Sequence, residues 1–358
     1  MKRIRTILTS VLLLGAFALA GCGTGQTGGT DDAPPLGAYT REGLAAEFLT
    51  KADGVAVGES TVTFTDASGT EPVTVAKNPQ NVMNLYASFT TLWYEAGGTV
   101  KGLIGGASSV ALYEEQIGRD ITQDEGVEII SASSAGKNWS TEAIVAKRPD
   151  LIICSTAMSG YASIQAPARV AGIPVIAVAY DDFQDYLKWF KVFSALSGHP
   201  ALWDTVALKA MNDIIDILLQ VPTKDNPRIF SMFSGTDSLQ ANLSGTVVGD
   251  IAKQLRAVNI ADTWFNAAGA NRLTINLESV YVAAPAYILV QCHAEDEEVT
   301  ALVDALYGDD PIWNALDAVK DGKVYFLQKT LFHNKPNRKF VDAYKILAEI
   351  LYPDAVFA

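Results

Sequence analysis

Three histidines and three cysteines are few for a chain of 358 residues. Zinc and manganese sites gather several imidazoles, thiolates or carboxylates. His199 sits in the helix-breaking run Ser197-Gly198-His199-Pro200, which leaves only His293 and His333 well placed, so no bare transition-metal site is expected. Basic residues are also short, with 27 Lys and Arg against 40 Asp and Glu and a net charge of -13. Phosphate backbones need clustered cations, so nucleic acid is excluded as a partner. The apolar run Val11 to Ala18 falls short of the roughly 20 residues of a membrane-spanning helix. No nucleophile elbow, phosphate loop or metalloprotease motif occurs. Without an activated nucleophile or a convincing acid–base pair, the chain reads as a non-enzyme that needs no resident cofactor.

The length, with 49% hydrophobic residues, suffices for two cores of ordinary size. Residues 1–22 form a targeting segment: Lys2, Arg3 and Arg5, the apolar run, then Leu19-Ala20-Gly21-Cys22. This ending resembles the bacterial lipobox. The resemblance implies that Cys22 is the lipidated first residue of the mature protein, anchored on the outer face of the cytoplasmic membrane. Residues 23–58 read as a flexible tether and N-terminal extension. Gly23 to Tyr39 is Gly-, Thr- and Pro-rich with little apolar to bury, and Arg41 to Leu49 is predicted as one short helix.

Beyond the tether the chain divides into an N-terminal α/β lobe (59–180), an interlobe helical region (181–222) and a C-terminal α/β lobe with a closing helix (223–358). Ser60 to Val75 alternates as a hairpin around Ser68-Gly69. Strands then alternate with helices, which argues mainly parallel sheets, and Tyr113 falls in a connecting loop. Pro200 to Gln220 is the longest uninterrupted amphipathic helix, roughly 30 Å at 1.5 Å per residue, and is predicted as a strut between the lobes. A helix–Pro–strand unit occurs once in each half, STEAIVAKRPDLIICS and LESVYVAAPAYILVQC. Glu142 and Glu278 each lie seven residues before the proline of their unit. Cys154 and Cys292 end these strands and are expected to face each other across the cleft as buried thiols, too far apart for a disulfide.

Four stretches, VTVAKNPQNVMNL, STEAIVAKRPDLII, NLESVYVAAPAYILV and DGKVYFL, resemble the substrate-binding lipoproteins of ABC importers, of the class carrying ferric siderophores, haem or cobalamin. Asn81 departs from the Arg often found there. The resemblance implies two α/β lobes joined by one rigid helix, the helical-backbone (class III) periplasmic-binding-protein fold. It also implies a monomeric binder that delivers a metal chelate to a permease dimer with its ATPase subunits. Glu142 and Glu278 match the positions where one glutamate per lobe meets permease arginines. In open parallel sheets ligands sit beyond the carboxyl ends of strands. The aromatic and sulfur candidates there are Tyr86, Tyr113, Trp139, Met158, Tyr161 and Tyr180; the cationic and imidazole candidates are Arg272, Lys335, Lys137, His293 and His333. A ferric siderophore-like chelate is the expected ligand. Haem or cobalamin, a molybdate- or tungstate-type oxyanion, a chelatase-like enzyme and a lipoprotein sensor are the alternatives.

Overall fold

The computed structural model describes residues 38–69, 71–133, 139–224, 226–266 and 269–357. Cys22, the segment before residue 38 and Lys137 lie outside the described residues. Helix α1 (Arg41–Asp53) opens the described fold, with Thr40 Oγ1 accepting the Gly43 N–H at 3.1 Å as its cap. Leu44, Phe48 and Ala52, four residues apart, form its buried stripe. Strands β1 (Ala56–Val57), β2 (Thr61–Thr65) and β3 (Pro72–Ala76) make a small antiparallel sheet in which Val62 and Phe64 point inward. The loop between β2 and β3 brings Asp66 to an edge strand of the next sheet, where its carboxylate accepts the Ala177 N–H at 2.8 Å.

That next sheet is wholly parallel. It comprises β4 (Val82–Asn84), β5 (Gly102–Ile104), β6 (Glu128–Ser131), β7 (Leu151–Ser155) and β8 (Val175–Val178) in the order β6-β5-β4-β7-β8. Strands β4, β5 and β7 are buried on both faces, which is why they read as apolar runs without alternation. Helices α2 (Ala87–Glu95), α3 (Ala107–Ile117), α4 (Thr141–Ala146) and α5 (Tyr161–Val170) connect them. Helix α3 corrects the sequence reading, because Tyr113 is helical rather than in a loop. Its stretch opens on Gly105-Gly106 without a side-chain cap, so the usual start signal is missing, yet Ser109, Leu112 and Tyr113 share one buried face.

Helix α6 (Phe183–Leu196) is followed by a turn and then by the strut. Gly97, at φ 86°, passes so close to His199 that a Cβ there would lie 2.6 Å from the ring, so this exposed histidine lies against the Gly97 backbone. The strut corrects a second expectation. It is not a uniform α-helix, since Trp203–Leu208 forms a π-helical segment before α7 (Lys209–Leu219). The wider turn changes the phase of the helix, and Trp203 lies beside Lys191 of α6, with Nζ 5.8 Å from its ring centroid. Beyond that point Met211, Ile214, Ile215 and Leu218 form the buried face that the helical period implies.

The second sheet contains β9 (Arg228–Ser234), β10 (Leu239–Asn242), β11 (Val258–Asn259), β12 (Arg272–Thr274), β13 (Tyr287–Gln291) and β14 (Val324–Leu327), ordered β12-β10-β9-β13-β14 with β11 on β9. Strands β9, β11, β13 and β14 are parallel, and β10 runs antiparallel to β9 and β12. Its helices are α8 (Val247–Gln254), α9 (Leu277–Ala283), α10 (Asp296–Tyr307), α11 (Pro311–Ala315), α12 (Asp317–Lys320) and α13 (Lys329–Phe332), and α14 (Phe340–Leu351) closes the chain. One large core joins one face of both sheets through α1, α6, α7 and α14, with Phe48, Phe183, Phe340 and Tyr344 among its buried rings. Smaller cores cover the outer faces of each sheet.

The two helix–Pro–strand units match in backbone conformation and in strand offset. Arg148 (φ 46°) and Ala284 (φ 45°) both take the left-handed conformation just before the proline. Leu151 and Tyr287 then open β7 and β13 at the same offset from Glu142 and Glu278. The counterpart of Cys154 is thus Val290, and Cys292 lies two residues further on. This corrects the cysteine expectation. Cys154 is buried in the outer core of the first sheet and Cys292 in that of the second, so the two do not face each other across a cleft. Burial pushes both thiols up to about 12, which makes them inert packing groups.

Candidate functional site

The carboxyl ends of the parallel strands in both sheets converge on one cavity of about 480 Å³. The first sheet contributes Tyr86 and Ser88 after β4, and Ser108, Ser109 and Leu112 after β5. The second contributes Phe233, Gly235 and Thr236 at the end of β9, His293 after β13, and Lys329 and His333 after β14. A smaller cavity of about 350 Å³ is lined by Asp181, Thr246, Arg272, Gln291, His333 and Lys335 among others. His333 borders both. Tyr86, Arg272, His293, His333 and Lys335 are therefore brought together where strand-end reasoning puts a ligand.

The other aromatic candidates are not at these cavities. Tyr113 is fully buried and donates its hydroxyl to Ile104 O at 2.7 Å. Tyr180 is a core ring stacked 6.2 Å from Phe89 and 6.1 Å from Phe340, and burial raises its phenol well above the ordinary value. Trp139, Met158 and Tyr161 pack together on the outer face of the first sheet. The Trp139 indole lies against Gly160, where a Cβ would come within 2.1 Å of the ring.

Phe233 organises the second sheet's side of the site. The Arg272 guanidinium lies 3.7 Å from its ring centroid, and the His333 imidazole stacks on it at 5.6 Å and 15°. Arg272 Nε donates to Asn242 Oδ1 at 3.0 Å; Asn242 Nδ2 donates to Gln291 Oε1 at 2.7 Å; Gln291 Nε2 donates to Phe332 O at 2.6 Å. This relay, with Asn242 and Gln291 buried, holds the arginine at the cavity wall. Burial lowers the arginine's pKa somewhat, opposed by Asp181, and the residue stays charged.

His333 is neutral in the physiological range. Burial first, then the nearby Arg272 and Lys329, push it down to about 4, and its buried Nδ1 has no hydrogen-bond partner among the described residues. Ser234 Oγ accepts the His293 backbone N–H at 3.2 Å and lies 3.3 Å from His293 Nδ1. Ser234 Oγ also donates to Gln291 O at 3.2 Å. Among the described residues no three His, Cys, Asp or Glu side chains converge in a way that could hold a metal ion.

Glu142 and Glu278 are exposed in the first turns of α4 and α9. Ser140 Oγ caps the Ala143 N–H at 3.1 Å, and Asn276 Oδ1 caps the Ser279 N–H at 2.8 Å. Each helix hands the chain to the amino end of the next parallel strand, so its N-terminus lies toward the opposite, carboxyl edge of its sheet.

Two α/β halves built on parallel strands, sharing a helical layer and meeting at a cavity along their carboxyl edges, define the helical-backbone, class III architecture of extracytoplasmic binding proteins. Residues 90–331 match the profile of the periplasmic binding protein family, and the chain belongs to that family. It is 22% identical over 299 residues, 82% of this chain and 86% of the other, to an uncharacterised ABC transporter substrate-binding lipoprotein, YvrC, of Bacillus subtilis (strain 168). Its fold is similar to an ABC transporter substrate-binding protein from Listeria monocytogenes EGD-e (TM-score 0.62, 18% identity, 78% of this chain and 100% of the other). It is also similar to IsdE of Staphylococcus aureus, solved in complex with haem (TM-score 0.60, 15% identity, 76% of this chain and 98% of the other). No described helix is long and apolar enough to cross a membrane.

Proposed function

We propose that this protein is the extracytoplasmic solute-binding component of an ABC importer, which captures an iron chelate of the ferric-siderophore kind and delivers it to a permease dimer. Residues 59–180 and 223–358 serve as its lobes and 181–222 as the connection between them. The observation that carries this reading is the cavity of about 480 Å³ walled jointly by both sheets, with Lys329, His293 and His333 on it and Arg272 and Lys335 beside it. A chain of net charge -13 that gathers cationic and imidazole groups at one cleft is suited to a bulky ligand with negative oxygen groups. The B. subtilis relative's designation as an ABC transporter substrate-binding lipoprotein supports the role. Cys22 carries the lipid anchor in this reading, and a mass spectrum of the mature N-terminus tests it. The protein acts as a monomer and is not an enzyme.

Haem is the second reading, favoured by the two imidazoles of His293 and His333 on one cavity, the latter neutral; IsdE, of similar fold, was solved with haem. The deciding experiment is to purify residues 23–358 and titrate a ferric siderophore, haem and cobalamin, following absorbance and thermal shift. A siderophore that raises the melting temperature and keeps its charge-transfer band supports the first reading. A Soret band that shifts on binding, with no response to siderophores, replaces it with the second. No response to any of the three overturns both.

A further inference from the structure

Arg272 is prepared for a partner that the protein itself does not supply. Its Nε is engaged by Asn242, its guanidinium carbon lies 3.7 Å from the Phe233 ring centroid, and the relay through Gln291 to Phe332 O fixes Asn242 in turn. No hydrogen bond from its two terminal amino groups occurs among the described residues. The guanidinium borders the smaller cavity of about 350 Å³ together with Lys335, while Phe233 belongs to the larger one, and His333 is shared. The site therefore has two adjoining compartments of different chemistry. The larger mixes aromatic, imidazole and hydroxyl groups with the Lys329 ammonium; the smaller sets the arginine's fork of donors and the Lys335 ammonium beside Asp181.

One carboxylate already stands at the smaller compartment. Asp181, exposed and reaching from the end of the first sheet, pairs with Lys335 Nζ at 3.2 Å and is the negative charge felt by Arg272. Resting on the reading that the cargo is a metal chelate, we propose that this cargo carries a free carboxylate arm. Arg272 grips the arm in the smaller compartment and Lys335 assists, while the chelated metal lies in the larger one. A planar carboxylate matches the guanidinium fork with two parallel N–H···O bonds, which hydroxamate oxygens, their charge taken up by the bound iron, cannot reproduce at full strength. Asp181 is the internal competitor that the arm displaces from Lys335.

Ferric dicitrate and haem, which bear carboxylates, and ferrioxamine B, a trihydroxamate that bears none, separate the possibilities in titrations of wild type, Arg272→Gln, Arg272→Lys and Asp181→Asn. At least one carboxylate-bearing chelate is expected to bind more tightly than ferrioxamine B. Hydrogen bonds to charged groups imply that Arg272→Gln narrows that preference by about 10- to 100-fold. Arg272→Lys restores part of it, and Asp181→Asn widens it. Equal affinity for both kinds of chelate, or an Arg272→Gln loss of the same factor on each, overturns the carboxylate arm and leaves the importer reading standing. Inorganic phosphate displacing ferric dicitrate as well as iron-free citrate does would make the compartment a general oxyanion site and also overturn it. If no chelate binds wild type, the cargo reading itself fails and the arm with it. Thermal melts of each variant guard against misfolding, and the Lys and Asn variants keep the test valid if Arg272→Gln does not fold.

Discussion

Glu95, at the end of α2, holds its proton at neutral pH because burial outweighs a single arginine. The Arg338 side chain approaches Glu95 Oε1 at 3.6 Å and the Arg338 backbone N–H donates to the same oxygen at 3.1 Å, yet that guanidinium is itself 59% exposed and its pull is screened. Desolvation wins and raises the carboxyl to about 8. The folded protein therefore binds this proton more tightly than the unfolded chain, whose glutamate titrates near 4.5. Its contribution to stability is complete below that value and is lost as pH rises toward 8. Glu95→Gln keeps an acceptor for the Arg338 N–H without the acid. Its melting temperature should match wild type near pH 4.5 and exceed it by several degrees at pH 8; parallel melting curves across that range would overturn the assignment. The candidate site was partly legible at this same scale. Tyr86, Arg272, His293 and His333 could be found because each belongs to or adjoins a strand-end loop or edge strand. Phe233 could not, since in the run Arg228–Ser234 it reads as one more apolar strand residue. Its stacking with Arg272 and His333 depends on two distant segments meeting. Tyr113 and Tyr180 show the converse, aromatics near strand ends whose rings turn inward to the core.

Among the elements, α1 is bound to the fold far more tightly than a tether. Phe48, 1% exposed, meets Phe183 of α6 edge-on at 5.2 Å. Lys51 bonds Asp182 and Asp185 at 2.7 and 2.8 Å, and Gln254 of α8 donates to Glu47 at 2.9 Å. The helix thus touches α6, which follows the first sheet, and α8, which packs in the second half. Phe48→Ala removes a ring from the shared core and should cost about 3–5 kcal/mol by loss of burial plus a cavity. Urea unfolding with an unchanged m-value and a change below about 1 kcal/mol would mean that α1 is not part of the cooperative unit. Much of this architecture was readable from pattern alone. Strand runs such as LIICS and YILVQ, and the 3.6-residue period of α7, follow from burial on two faces and on one. Helix α3 and the π-helical segment were not, because one lacks a capping side chain and the other keeps a helical apolar pattern through a change of hydrogen-bond register.

For the molecule as a whole, charge is segregated. The two strand-end cavities carry Arg272, Lys329 and Lys335 while the chain is net acidic, and exposed acidic residues open α4 and α9 near the same edge of the two sheets. A carboxylate in a first helical turn is favoured by the helix dipole, by about 0.3–1 kcal/mol at an exposed site, so local stability alone could retain Glu142 and Glu278. Their placement in matching units of both halves gives them a second use in the proposed importer. We propose that one negative charge on each half fixes the orientation of the binder over a two-fold permease, through steering and register rather than buried affinity. If permease arginines meet these positions as proposed, the double variant Glu142→Arg with Glu278→Arg sets like charges against them, a juxtaposition that costs several kcal/mol. Each substitution also sets a cation at a helix N-terminus, so a melting-temperature fall of a few degrees is expected from the dipole term alone. Ligand affinity should stay within about twofold of wild type, because neither residue lines the cavities. Uptake, and stimulation of the transporter ATPase, should fall by about 100-fold or more. The neutral pair Glu142→Gln with Glu278→Gln should fall between, and raising ionic strength should weaken docking of wild type more than that of the neutral pair. Wild-type uptake by the arginine variant would sink the docking role, and a loss of ligand binding would place the two glutamates in the fold or the pocket instead.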